Sequence, residues 1–231
     1  MSPPRPLPED DPHAAAGRTT TTAGEAAAVV AIAFGVAIAS SLAALGQPAA
    51  PAAFTDAGLM STMLMEVVLG LIVLGLLQHR GYALPSLLPR PTAADTVFGA
   101  LLYLVVWLGG GALLSPVYDQ MGPQPIDQML REAHVSLPVV VLTALVNACY
   151  EEVLLLGFLM RGFLHRGASF ALGLQVLVRL SYHLYQGPVG ALWVALGGLL
   201  FGVVVWRTGR LWPAIAAHIL WDVLPFADGN G

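Results

Sequence analysis

From residue 26 onward the chain alternates long apolar runs with short polar interruptions. The runs fall near 26–45, 58–77, 97–115, 137–160, 169–186, 189–206 and 211–226. A helix rises about 1.5 Å per residue, so roughly 20 apolar residues cross ~30 Å of hydrocarbon. The pattern predicts an all-α fold, a polytopic transmembrane helix bundle of about seven spans. The last run is short and is expected to tilt or extend. Before the first run, residues 1–25 hold Pro3, Pro4, Pro6, Pro8 and Pro12, then a threonine run at 19–22. Nothing in that stretch could build a packed core, so it reads as a disordered cytoplasmic tail. It is also too long and polar for the opening of a secretory signal. No large polar segment divides 26–226, which is therefore one transmembrane bundle.

Composition removes the soluble alternatives. The chain is 57% hydrophobic and 10% charged, where an ordinary globular protein carries about 25% charged residues. Mean hydropathy is +0.74. A net charge of −4 without a basic patch excludes a nucleic-acid partner. The single Cys149 excludes a disulfide framework and any zinc site built from several cysteines.

All ten basic residues are arginines, and they fix an orientation. With seven spans, Arg5, Arg18, Arg80, Arg90, Arg161, Arg166, Arg207 and Arg210 fall on one side. The other side carries only Arg131, amid Asp119, Asp127 and Glu132. By the positive-inside rule the N-terminus is cytoplasmic and the C-terminus outside, in what the composition points to as a bacterial cytoplasmic membrane. The loop at 116–136, with Met121, Pro123 and Pro125, would then face outside, as a lid or a plain linker.

A charge within the bilayer costs at least a few kcal/mol and calls for a reason. Glu66, in the second run, reads most simply as a buried carboxylic acid hydrogen-bonded to a neighbouring helix; the sharper readings pair it with Arg179 or let it line a water-filled cavity. Glu151 and Glu152 are adjacent in the fourth run and point about 100° apart. One can approach a substrate while the other holds a partner. Arg179 and His183, four apart in the fifth run, are expected to share a helix face. His218 and Asp222 repeat that spacing in the last run, which suits a carboxylate orienting an imidazole or two ligands to one metal. Helix rise places these groups at comparable depth, so they can converge on one polar centre. Two acids, two imidazoles, a third carboxylate and a guanidinium suit the activation of water by a glutamate.

Glu151-Glu152 in one hydrophobic helix, Tyr182-His183-Leu-Tyr-Gln-Gly187 in a later one, and a closing His218-Ile-Leu-Trp-Asp222 resemble the CPBP family. These are the CAAX-protease and bacteriocin-processing intramembrane endopeptidases, also called Abi proteins. The likeness covers about 137–226, the expected catalytic core. It implies an intramembrane endopeptidase in an all-helical bundle acting on a membrane-anchored protein or peptide. The implied catalytic set is Glu151 as the water-activating glutamate, Glu152 beside it, His183, His218 and Asp222, with Arg179 and Asn147 in support.

Two positions depart from the family pattern of Glu-Glu-x-x-x-Arg, Phe-x-x-x-His and His-x-x-x-Asn or Asp. Leu156 stands where the first arginine is expected, and Arg179 where the phenylalanine is. The charge is read as having migrated, with Arg179 neutralising the glutamates. An ionised Asp222 cannot donate to an oxyanion as an asparagine would, so it is cast as orienting His218 or ligating metal. The preferred reading needs no cofactor; a divalent metal such as zinc, held by His183, His218 and Asp222 or a glutamate, is the other. Competing functions are a proton-coupled transporter and an inactive immunity or scaffold relative of the protease family.

Overall fold

The computed structural model describes residues 20–45 and 52–227. Residues 1–19, the greater part of the expected tail, lie outside the described residues. Every predicted apolar run contains a helix. The first, α1 (Ala23–Ala44), begins inside the stretch expected to be tail. Its N-cap Thr22 accepts from the Glu25 amide while Glu25 reaches back to the Thr22 amide, so a capping box satisfies two N-terminal donors. The next long helices are α2 (Asp56–His79) and, after the single turn α3 (Leu84–Leu87), α4 (Ala93–Met121). A short α5 (Pro125–Arg131) leads to α6 (Leu137–Glu152). The chain then widens into a π-helical stretch, Val153–Met160, before α7 (Arg161–Phe163) and a 3-10 turn at Leu164–Arg166. After these come α8 (Ala168–Ser181), a 3-10 turn at Leu184–Gln186, α9 (Pro188–Thr208) and α10 (Trp212–Val223).

Among the described residues five helices are long and apolar enough to cross a membrane: Ala23–Ala44, Asp56–His79, Ala93–Met121, Leu137–Arg166 and Pro188–Thr208. Helices α8 and α10, with 14 and 12 residues, are shorter. The chain is an integral membrane protein. Its centre is the α6–π segment, where Leu155, Leu156, Phe158, Leu159 and Met160 are fully buried. Leu64 and Leu71 of α2 and Val97, Leu108 and Leu113 of α4 are instead exposed, as expected of helix faces that meet lipid.

The fifth run differs from its expectation. It was read as helix to 186, yet α8 stops at Ser181. Side chains of the terminal segment take the carbonyls a continuing helix would have used. The Ser181 hydroxyl donates to the Val178 carbonyl at 2.6 Å, and the His183 ring bonds the Arg179 carbonyl at 2.9 Å. The chain restarts as helix after Gly187, whose φ of 87° suits glycine alone. Arg179 and His183 are therefore not two rungs of one helix.

At one end of the bundle the interhelical loops are tied together. Arg80 pairs with Glu25 at 3.2 Å, Arg161 donates to the carbonyls of Ser86 and Gly209 at 3.1 and 2.7 Å, and Arg210 pairs with Asp95. At the other end the segment expected to be lid or linker is folded. Gln124, capping α5, accepts from the Val189 amide at 3.1 Å, and the amides of His134 and Ser136 bond Phe54 and Asp56 at 2.8 and 2.7 Å.

Candidate active site

Helices α6, α8 and α10 each bring charge to one buried point. Glu151 and Glu152 close the α-helical part of α6, just before the π-helical turns, an arrangement frequent at functional sites. Arg179 approaches from the last turn of α8. Its Nη1 lies 3.0 Å from Glu151 Oε2, and its Nη2 lies 2.8 and 2.9 Å from the two oxygens of Glu152. His218 comes from α10, its Nδ1 2.7 Å from Glu152 Oε1. All four are buried: Glu152 is 0% exposed, Arg179 2%, Glu151 5% and His218 7%. A carboxylate only accepts, so the His218 Nδ1 proton is the bridging one.

The two glutamates thus divide their work. Glu152 is wholly occupied, with Arg179 on both oxygens and His218 on one of them. On Glu151, Oε2 also accepts from the Tyr182 hydroxyl at 2.7 Å. Among the described residues its other oxygen, Oε1, receives only a 3.3 Å contact from Asn147 Nδ2. That same amide group donates to Glu66 Oε1 at 2.7 Å. Glu66 is therefore hydrogen-bonded to a neighbouring helix and does not pair with Arg179; its second oxygen, Oε2, is buried with no hydrogen-bond partner among the described residues.

The remaining expected residues stand further out. Asp222 Oδ2 is 3.6 Å from His218 Nε2, beyond hydrogen-bonding reach, so Glu152 rather than Asp222 holds that imidazole. The half-buried His183 donates Nδ1–H to the Arg179 carbonyl, leaving Nε2 as its available nitrogen. The expected metal trio of His183, His218 and Asp222 is not the set that converges. Among the described residues the donor atoms that gather within 4.8 Å belong to Glu151, Glu152 and His218. Their chemistry would suit zinc, but the Arg179 guanidinium is already forked onto both carboxylates, and a dication there would have to displace it.

Three contributors carried no assigned role in the sequence. Tyr182 was legible only as the neighbour of His183; its ring stacks on Phe34 of α1, with centroids 4.9 Å apart and planes at 12°. Tyr150 of α6 donates its hydroxyl to the Ala33 carbonyl at 2.7 Å, fixing α1 against α6 beside the glutamates. Gly198 of α9 makes room for Arg179: a Cβ there would lie 2.7 Å from both Cδ and Nε of that side chain. The adjacent glycines 197 and 198 are the one sequence signal for this close approach.

Residues 133–224 match the family model of type II CAAX prenyl endopeptidases, Rce1-like. That segment carries α6 through α10 and so every group just described except Glu66, Phe34 and Ala33. The resemblance to the CAAX-protease family is thereby borne out, and the matched family is one of endopeptidases, which supports an enzyme. No curated protein and no solved structure matches the chain.

Proposed function

We propose that the protein is an intramembrane endopeptidase that hydrolyses a peptide bond of a membrane-associated protein or peptide, with Glu151 as general base. The observation that carries this reading is the asymmetry of Glu151. Arg179 and Tyr182 hold Oε2, while Oε1 is left with one long contact and is free to take a proton from water. The water oxygen attacks the scissile carbonyl as its proton passes to Glu151. The tetrahedral intermediate collapses with cleavage of the C–N bond, and the proton is delivered to the departing amine. His218, held by Glu152, stabilises the oxyanion with Nε2 protonated, and His183, whose Nδ1–H is held by the Arg179 carbonyl, offers Nε2 as an acceptor that orients the water.

Arg179 takes the part of the arginine expected at Leu156, balancing two adjacent buried acids from a different helix. Its fork on the donor set favours a water activated without metal. The same fork weakens the case for an inactive relative, which rested on Leu156. The clustering of arginines at one end of the bundle supports an N-terminus on the cytoplasmic side and a C-terminus outside. The substrate class is a membrane-anchored precursor; the prenylated substrate in the family's description belongs to that family.

The test is to purify wild type and Glu151→Gln in detergent and incubate each with a membrane proteome. Wild type is expected to yield new protein termini, and the variant to lose cleavage by about 10²–10⁴-fold, the usual contribution of a general base. Equal cleavage by both proteins sinks the assignment.

A further inference from the structure

Away from the glutamates, at the arginine-bearing end, the loops after α3 and α9 and the starts of α4 and α10 enclose a cavity of about 270 Å³. Arg90, Arg161 and Arg210 line it, with Asp95 as its carboxylate and Trp212 at the same site. We propose that this cavity binds the phosphate group of an anionic phospholipid.

The charge count favours an anion, with three guanidiniums against one carboxylate. Arg161 uses two N–H groups on the carbonyls of Ser86 and Gly209, and a guanidinium has five, so donors remain. Arg210 is paired with Asp95. Arg90 is exposed and has no hydrogen-bond or ion-pair partner among the described residues. These three arginines come from segments far apart in sequence, and the Arg161 bonds tie α3 to the turn after α9. The site is thus assembled by the fold rather than by a local run of basic residues.

A lipid is favoured over soluble phosphate by what adjoins the cavity. Leu88 of the cavity wall is 45% exposed, and Phe98 stands one turn along α4 from Asp95. The Arg210 guanidinium sits 5.8 Å from the Phe98 ring centre. The Trp212 indole donates to the Thr96 hydroxyl at 2.8 Å, an amphipathic ring at the level where headgroups lie. A phosphate among the arginines would leave its acyl chains beside Leu88 and Phe98. Basic pockets between transmembrane helices recognise headgroups in this way.

The experiment uses the full chain in phosphatidylcholine nanodiscs doped with phosphatidylglycerol, with retained lipid counted by native mass spectrometry. Wild type is expected to retain phosphatidylglycerol preferentially. Arg90→Gln with Arg210→Gln is expected to lower that retention at least about fivefold, given roughly 1 kcal/mol per arginine near an anionic surface. Arg166→Gln, at the same end but outside the cavity, is expected to retain it as wild type does. Arg90→Gln alone breaks no described contact, so its partial loss of retention reports binding rather than folding. Retention equal to wild type in the double variant overturns the proposal. So does a melting-temperature rise with inorganic phosphate alone that matches the rise with phosphatidylglycerol.

Discussion

Arg179 and Glu152 form a fork in the bundle interior, with one guanidinium nitrogen 2.8 and 2.9 Å from the two carboxylate oxygens. The other terminal nitrogen reaches Glu151 at 3.0 Å, so a single cation from α8 neutralises two consecutive acids of α6. Removing one partner of a buried pair strands the other, typically at 3–5 kcal/mol.

Arg179→Leu is accordingly expected to abolish proteolysis and to lower thermal stability, because two carboxylates lose their only described cation other than His218. Adding Leu156→Arg is expected to restore part of the activity by supplying the charge from the family's position. Leu156 is fully buried, so the rescue should be incomplete. Cleavage assays and melting curves on the single and double variants check this; full activity in Arg179→Leu refutes the role.

Gly198→Ala tests the space that the fork needs. Alanine is the better helix former by about 1 kcal/mol. Its Cβ, however, would press within 2.7 Å of Arg179 Cδ and Nε, and that side chain cannot move without leaving the carboxylates. The clash should win, with a loss of about 1–3 kcal/mol in stability and a larger loss of turnover. An unchanged melting temperature and activity would contradict it.

Asn147→Leu should be more harmful than the pair Asn147→Leu with Glu66→Leu. The single change leaves Glu66 buried at 6% exposure with neither oxygen partnered, whereas the double change removes the stranded group as well. A double-mutant cycle on thermal stability measures the coupling, expected at about 1–3 kcal/mol. Simple additivity would deny the link between α2 and α6.

Chelation should leave cleavage unaltered if Arg179 supplies the cation of the site. Dialysis against EDTA, followed by the proteome assay with and without added zinc, decides this. Activity lost on chelation and regained with zinc would overturn the metal-independent mechanism.

The apolar periodicity alone determined that the chain is a helical membrane bundle, because hydrocarbon demands long helices with internally satisfied backbones whatever their packing. The scarcity of intramembrane charge likewise singled out Glu151, Glu152, Arg179 and His218, since such groups do not persist there without partners. Which partner each one has was decided only in three dimensions. That Glu152 rather than Asp222 holds His218 depends on where α10 lies against α6. That Glu66 joins Glu151 through Asn147 depends on the contact between α2 and α6. The end of α8 at Ser181 was hidden for a different reason: no glycine or proline stands between Ser181 and Gln186, and side-chain bonds to the Val178 and Arg179 carbonyls stop the helix. Helical spacing ranks neighbours on one element, whereas the bonds of Asn147 to Glu66, Arg179 to the glutamates and His218 to Glu152 join different helices, so only the packed bundle fixes them.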